Sequence, residues 1–235
     1  MNPMSDYPSP IIEMNLPEPW DRHSILIPRN ERMRYDNIFV KREYDIPSNL
    51  LPSMPLSIVD IGANNGLFAL FMKSMRADST ISCFEPVPQT LELLHKNISG
   101  HDGIQVYPYA LSDHNGTANI NLHPVNTGEN SLKSDPGAAG RSVAVQLMDA
   151  ATAFKQLGLT YVDVLKIDTE GCEVEILESL QDHLPYVGIV MAEYHSEKDR
   201  RSIDQLLSGH TMWGARIETI HLGVVKYINN RLFQR

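Results

Sequence analysis

Two short acidic clusters at the ends of apolar segments are the first sign of chemistry in this chain. Tyr161–Asp168 and Val187–Glu193 read as buried strands; Asp168 and Glu170 close the first, and Glu193 and His195 the second. Side by side in a parallel sheet, the two segments bring all four side chains to one cleft at the strands' carboxyl ends. Such a cleft supports two chemistries. The carboxylates pair with His195 as base and orienter, raising its pKa toward the working pH, or Asp168 and Glu193 hold a divalent ion such as Mg²⁺ that acidifies a hydroxyl. The metal-free base is favoured, because only two protein ligands can be named. Plainer roles compete: Glu170 as a favourable charge at the start of a helix near Cys172, His195 as a surface-loop histidine, and Lys166, inside a strand, snorkelling or pairing with a carboxylate.

The second constellation is the turn Asp60-Ile61-Gly62-Ala63-Asn64-Asn65-Gly66, after a strand over Leu56–Ile61. The first strand-to-helix turn of an open α/β sheet belongs to its ligand site. Gly62 lets the backbone turn tightly and approach a ligand, and the following helix offers free N–H groups to a carboxylate. A dinucleotide fold wants G-x-G-x-x-G, with the second glycine admitting the pyrophosphate. Asn64 stands there instead, which disfavours NAD and leaves room for a smaller, less anionic cofactor such as S-adenosylmethionine (SAM). Glu85, followed by Pro86, ends the next strand, where a carboxylate accepts from both ribose hydroxyls or is simply solvated. Ser112 and Asp113 follow a third strand and either edge an adenine ring or form a plain turn.

These placements require βαβ units. From Leu56 onward, strands over Leu56–Ile61, Ile81–Glu85, Gly103–Ala110, Tyr161–Asp168 and Val187–Glu193 alternate with helical periodicity. Pro108 puts the third strand at an edge, and Asp149 and Gly158 bracket a helix as N-cap and stop. Ile217–His221 and Val224–Ile228 flank Leu222-Gly223 as an antiparallel hairpin. The expectation is a doubly wound, mainly parallel seven-stranded α/β sheet over residues 56–235, with a C-terminal hairpin. Residues 1–55 form a small arm and cap. Residues 1 to about 20 read as an extended or mobile arm that packs late or on a partner, which leaves a homo-oligomer open. Asn115–Gly140 is an insertion, read as a polar loop over the strand ends in which Asn130 and Ser131 orient a substrate or cap the loop.

Composition narrows the function classes. A formal charge of -9 over 235 residues, with a pI near 5.4, repels phosphate backbones, so nucleic acid is not expected as a partner. Arg29, Arg32, Arg34, Lys41 and Arg42 interleave with Glu31, Asp36, Glu43 and Asp45 and read as a solvated face. Cys83 and Cys172, the two cysteines, are too few for a disulfide framework and read as small buried residues. No secretion signal is visible and no apolar run reaches the roughly 18 residues of a membrane helix, so a soluble cytoplasmic protein is expected.

In this order, VDIGANNGLFAL (59–70), FEPVPQTLELLHKNI (84–98), ALSDHNGTANI (110–120), ENSL (129–132) and above all VDVLKIDTEGCEVEIL (162–177) resemble the FkbM family of SAM-dependent methyltransferases. The resemblance spans about residues 35 to 228. It implies a class I methyltransferase fold and methylation of hydroxyl groups on a small-molecule, natural-product or glycan acceptor. It also implies Asp60, Gly62 and Asn64 near the methionine part of SAM, Glu85 on the ribose, Ser112 and Asp113 near the adenine, and Asp168 and Glu170 at the acceptor end. A non-catalytic SAM-binding protein and an N-methyltransferase on a small molecule or peptide are the alternatives.

Overall fold

The computed structural model describes residues 7, 9–18, 23–123, 130–131 and 141–234. Strand β1 (Ile11–Asn15) pairs antiparallel with β2 (Ser24–Pro28), and Leu16, Ile25 and Ile27 are buried. This part of the expected arm therefore folds back on its own chain, because Leu16 and the alternating isoleucines of β2 have an apolar surface to cover. A short helix, α1 (Arg32–Tyr35), and a wider turn over Asp36–Val40 follow. They seat Tyr35, Ile38, Phe39 and Tyr44 on helix α2 (Leu67–Met75); the Tyr44 and Phe68 rings meet edge-on at 5.1 Å, and Phe39 and Phe71 at 5.8 Å.

Strand β3 (Ser57–Ile61) leads into α2, β4 (Thr80–Phe84) into α3 (Pro88–Asn97), and β5 (Ile104–Tyr107) ends at Pro108. Then come β6 (Ala110–Ser112), β7 (Gly116–Asn121) and β8 (Ser142–Asp149), helix α4 (Ala150–Gln156), β9 (Val162–Ile167), α5 (Glu173–Ser179), β10 (Val187–Tyr194), α6 (Glu197–Leu206), β11 (His210–Thr219) and β12 (Leu222–Asn229). Seven of these strands make one sheet in the order β11-β12-β10-β9-β3-β4-β5. The contacts from β10 to β5 are parallel, and β12 is antiparallel to both its neighbours. The expected architecture is thus present, with the third parallel strand at the edge where Pro108 requires it.

Both faces of the sheet are covered, which is why its central strands are apolar at nearly every position. Ile58, Ile81, Val164 and Ile189 pack with α2 and the cap, whereas Val59, Ile61, Leu165, Ile167 and Val190 pack with residues of α4, α5 and α6. The chain runs from β3 outward to β5, then returns to lay β9 on the other side of β3. Strand order reverses between β3 and β9, so the crevice beyond their carboxyl ends is the fold's natural ligand site.

Two sequence expectations need correction. Part of the Asn115–Gly140 insertion is not loop: β7 pairs antiparallel with β8, and β6 parallel with it, in a separate three-stranded sheet around Ile120, Val145 and Leu147. Residues 124–129 and 132–140 lie outside the described residues. The hairpin turns at Ile220-His221, not Leu222-Gly223. Position 223 lies within β12 and takes glycine because a β-carbon there would stand 2.5 Å from the Arg216 carbonyl oxygen and 2.8 Å from the Tyr194 hydroxyl. Asp149 caps α4 as expected, accepting from the Thr152 N–H at 2.8 Å. Among the described residues no helix is long and apolar enough to cross a membrane.

Candidate active site

The turns after β3 and β9 press together across the switch point. Gly62, with φ +77°, touches the β9 end so closely that a β-carbon would lie 1.8 Å from the Asp168 carbonyl oxygen. Asn64 and Glu170 both hold left-handed backbone at φ +48° and +57°, a conformation that costs a non-glycine residue about 1–2 kcal/mol and concentrates at functional turns.

Beneath these turns lies a buried ion pair. Asp60, 0 % exposed, stands 3.1 Å from Lys166 Nζ, which donates to the Gly62 carbonyl at 2.7 Å and lies 3.6 Å from Asp168. Lys166 therefore pairs with carboxylates, as one of its two plain readings had it. Asp60 lines neither cavity of the site; it supports the turn from behind through Lys166.

Two cavities meet here. The smaller is a slot walled by Phe84, Glu85, Pro86, Val87, Ala110, Leu111 and Cys172, among others. Glu85 is buried in it and accepts from the backbone N–H of Asn64 at 2.9 Å and of Val87 at 3.0 Å. Burial raises its pKa to about 7 against the pull of those two N–H groups. Ser112 and Asp113 do not line the slot. Asp113 is exposed and holds His114 at 2.6 Å, so Ala110 and Leu111 form the wall expected of those two residues.

The larger cavity, about 810 Å³, reaches from Asn65 and Phe68 to Glu193 and His195 and is closed on one side by the cap, with Glu31, Arg34, Asn37 and Tyr44. Arg34, Gly62, Asn64, Asp168 and Glu170 line both cavities and mark their junction. Asn130 borders the slot, while Ser131 borders the larger cavity and donates to the Glu170 carbonyl at 2.7 Å.

The four acid and base residues converge as the topology demands. His195 Nε2 lies 3.0 Å from Glu170 and 3.7 Å from Glu193, and its Nδ1 lies 3.6 Å from Glu173. Burial opposes a charged ring, but Glu170 and Glu173 outweigh it and raise the His195 pKa to about 11. A histidine so surrounded is imidazolium at neutral pH, which argues against the general-base role expected of it. Burial and the neighbouring Asp168 raise Glu193 to about 10, whereas Lys166 and Arg34 help hold Asp168 ionised below the usual carboxylate range despite its burial. The two carboxyls hydrogen-bond to each other, which requires one proton between them.

Glu170 is not the acid at the start of α5. Glu173 is: its Oε1 accepts from the N–H groups of Thr169 at 2.8 Å and Gly171 at 3.0 Å. For a divalent ion the geometry gathers Glu170, Glu193 and His195, whose ligand atoms lie within 4.8 Å of one another, in place of the expected pair Asp168 and Glu193.

Three residues at the site are not among those expected there from the sequence. Glu31 is 3 % exposed and accepts from the Asn65 side chain at 3.1 Å, and Arg34 lies 3.8 Å from Glu170 at the cavity junction. Neither belongs to a solvated face. The spacing Glu31, Arg34, Tyr35, Ile38 is that of one helical side and was the available signal. Glu173, the third, follows Gly171 by two residues, as a carboxylate capping the preceding loop does.

Comparison with known proteins agrees with this fold. Methyltransferase sdnD of Sordaria araneosa is 29 % identical over 206 residues, spanning 74 % of this chain and 78 % of that protein. The 2-O-methyltransferase NoeI of Sinorhizobium fredii is 23 % identical over 60 % of this chain and 64 % of its own length. The crystal structure of methyltransferase FkbM from Methylobacillus flagellatus superposes with a TM-score of 0.54 at 15 % identity, over 77 % of this chain and 45 % of that longer one, a likeness of fold. Residues 60–233 match the methyltransferase FkbM domain. With three-quarters of its length inside that match, and with the strand order and junction described above, the chain belongs to the FkbM methyltransferase family.

Proposed function

We propose that the protein transfers a methyl group from SAM to a hydroxyl of a sugar or sugar-like natural product. The observation that carries this reading is the junction: a slot with a buried carboxylate, Glu85, opens over five residues into a larger polar cavity. The slot suits a nucleoside, with Glu85 for the ribose hydroxyls and Ala110 and Leu111 against the base. Asn64 in place of a glycine keeps a pyrophosphate out. The larger cavity, rich in carboxylates and amides, suits a polyhydroxyl acceptor. The names of relatives point the same way, NoeI as a 2-O-methyltransferase and AglP of Haloferax volcanii as a hexuronic acid methyltransferase.

SAM, when bound, supplies an electrophilic methyl on sulfur, which leaves as a neutral thioether. This chain's residues do the rest. Arg34, Gly62, Asn64, Asp168 and Glu170 bring acceptor and donor into line at the junction. The acceptor oxygen becomes strongly acidic as its new bond to carbon forms, so Asp168, held ionised by Lys166 and Arg34, takes the proton although it is a weak base. The His195 imidazolium holds Glu170 and Glu193 in place. An ion on Glu170, Glu193 and His195, Mg²⁺ among the candidates, is the second reading; the imidazolium already supplies positive charge there, which favours the metal-free version.

Incubation with labelled SAM and a panel of sugars and glycosylated natural products tests the proposal. Label is expected in an alkali-stable methyl ether. Label in a methylamine would favour N-methylation, and SAM binding without turnover on any acceptor would favour a non-catalytic binder.

A further inference from the structure

Glu43 of the cap and Glu218 of the C-terminal hairpin share a wall of the larger cavity, and neither lines the slot. Both lean on one cation. Arg216 of β11 donates to Glu43 and, at 3.1 Å, to the Asn37 side chain, and it lies 2.9 Å from Glu218. Two carboxylates on one guanidinium leave a negative charge over at this wall. Burial raises the Glu43 pKa against the pull of Arg216, and Glu218 and Asp168 raise it further, the mark of a carboxylate short of positive charge.

The rest of the lining does not supply that charge. Seven carboxyl side chains border the cavity against three cations, Arg34, Lys166 and the His195 imidazolium. One proton between Asp168 and Glu193 reduces the excess, but Lys166 is already matched by Asp60 behind the wall. A second, uncharged group points to the same kind of ligand. Asn65, 1 % exposed, lines this cavity and donates its amide N–H to Glu31, so its Oδ1, which has no hydrogen-bond partner among the described residues, is left for a donor. The positive sulfur of a bound SAM belongs at the junction, which Glu43 and Glu218 do not border.

We propose that the acceptor is aminated, an amino sugar or similar polyol whose ammonium sits against Glu43 and Glu218 while a neighbouring hydroxyl meets Asp168. This rests on the reading of the protein as an O-methyltransferase and narrows its acceptor. The amine is held rather than methylated, because an ammonium has no lone pair to attack the methyl group. A uronate would instead set a third carboxylate against this wall and is rejected.

The methyl glycosides of glucosamine, glucose and glucuronic acid share one ring and differ in charge. Their binding to the full chain saturated with S-adenosylhomocysteine, followed by ligand-observed NMR, tests the proposal. The glucosaminide is expected to bind about tenfold more tightly than the glucoside, and the glucuronide about tenfold more weakly, the scale of one partly buried charge pair. Glu43→Gln and Glu218→Gln each leave Arg216 with a single carboxylate, so each should cut the preference for the glucosaminide to about threefold or less. Unchanged affinity for S-adenosylhomocysteine reports a folded cleft in both variants. Equal binding of the three glycosides, preference for the glucuronide, binding of none, or a preference that both variants retain overturns the aminated acceptor and leaves the methyl-donor reading standing. A wild type that does not bind S-adenosylhomocysteine overturns that reading and the proposal with it.

Discussion

His195 Nε2 lies 3.0 Å from a carboxylate oxygen of Glu170, and this pair fixes the protonation state of the acceptor end of the cleft. With Glu173 on the other ring nitrogen and Asp168 and Glu193 close by, a histidine that would otherwise titrate near neutrality stays charged to about pH 11. His195→Gln should therefore lower turnover about a hundredfold, through misplacement of Glu170 and Glu193, while leaving the acid limb of the pH profile in place. Disappearance of that limb in the variant would restore His195 as the general base. The sign for stability follows: the contribution of His195 is full below about pH 6.5 and is lost as pH rises toward 11, so the variant's deficit in melting temperature should be larger at pH 6 than at pH 9.

On the proposed reading the acid limb is expected to follow Glu85 instead. With its pKa at about 7, ribose hydroxyls that donate to the ionised carboxylate, as proposed, would have to displace a proton below neutrality. SAM affinity should be full above pH 7 and fall by up to about tenfold per unit below it, a dependence that Glu85→Gln abolishes. Glu85→Ala should weaken SAM by roughly 1–3 kcal/mol without unfolding the protein. Titrations at three pH values decide; a flat wild-type profile would exclude Glu85 from the ribose position.

Gly62→Ala tests the packing of the two turns. Its β-carbon would enter the Asp168 carbonyl from a left-handed backbone, and neither turn can retreat, since each follows directly on a central strand. A loss of roughly 3 kcal/mol or more in urea unfolding is expected. A cost below about 1 kcal/mol would mean that the turns are not in contact.

Chelation separates the two versions of the acceptor end. Turnover is expected to survive excess chelator, since an imidazolium lies among the carboxylates that an ion would need. Loss of turnover restored by Mg²⁺ or Mn²⁺ would assign Glu170, Glu193 and His195 to a metal instead.

Most of the sheet was readable because buried parallel strands are short apolar runs whose ends carry the polar residues, and Asp168, Glu170, Glu193 and His195 reach one cleft by topology alone. What was not readable depends on long-range pairing. Strand β8 alternates Val143, Val145 and Leu147, but its partner β7 lies at the far end of the insertion, so its period of two had no local hairpin to declare it. Gly223 looked like a turn, whereas it marks a close backbone approach inside a strand. Arg34 and Glu31 were hidden by counting charges along the chain; they cancel in sequence but are turned into the cleft by the burial of Tyr35 and Ile38 beside them. The state of His195 needed Glu173, the first residue of α5, whose distance no spacing gives.

Calorimetric titration of the wild-type chain with S-adenosylhomocysteine and, separately, NAD tests the central claim most directly, because it asks which nucleotide the slot beneath Glu85 accepts. S-adenosylhomocysteine is expected to bind in the micromolar range, about -8 kcal/mol, with no heat from NAD. Binding of NAD with no response to S-adenosylhomocysteine would contradict it.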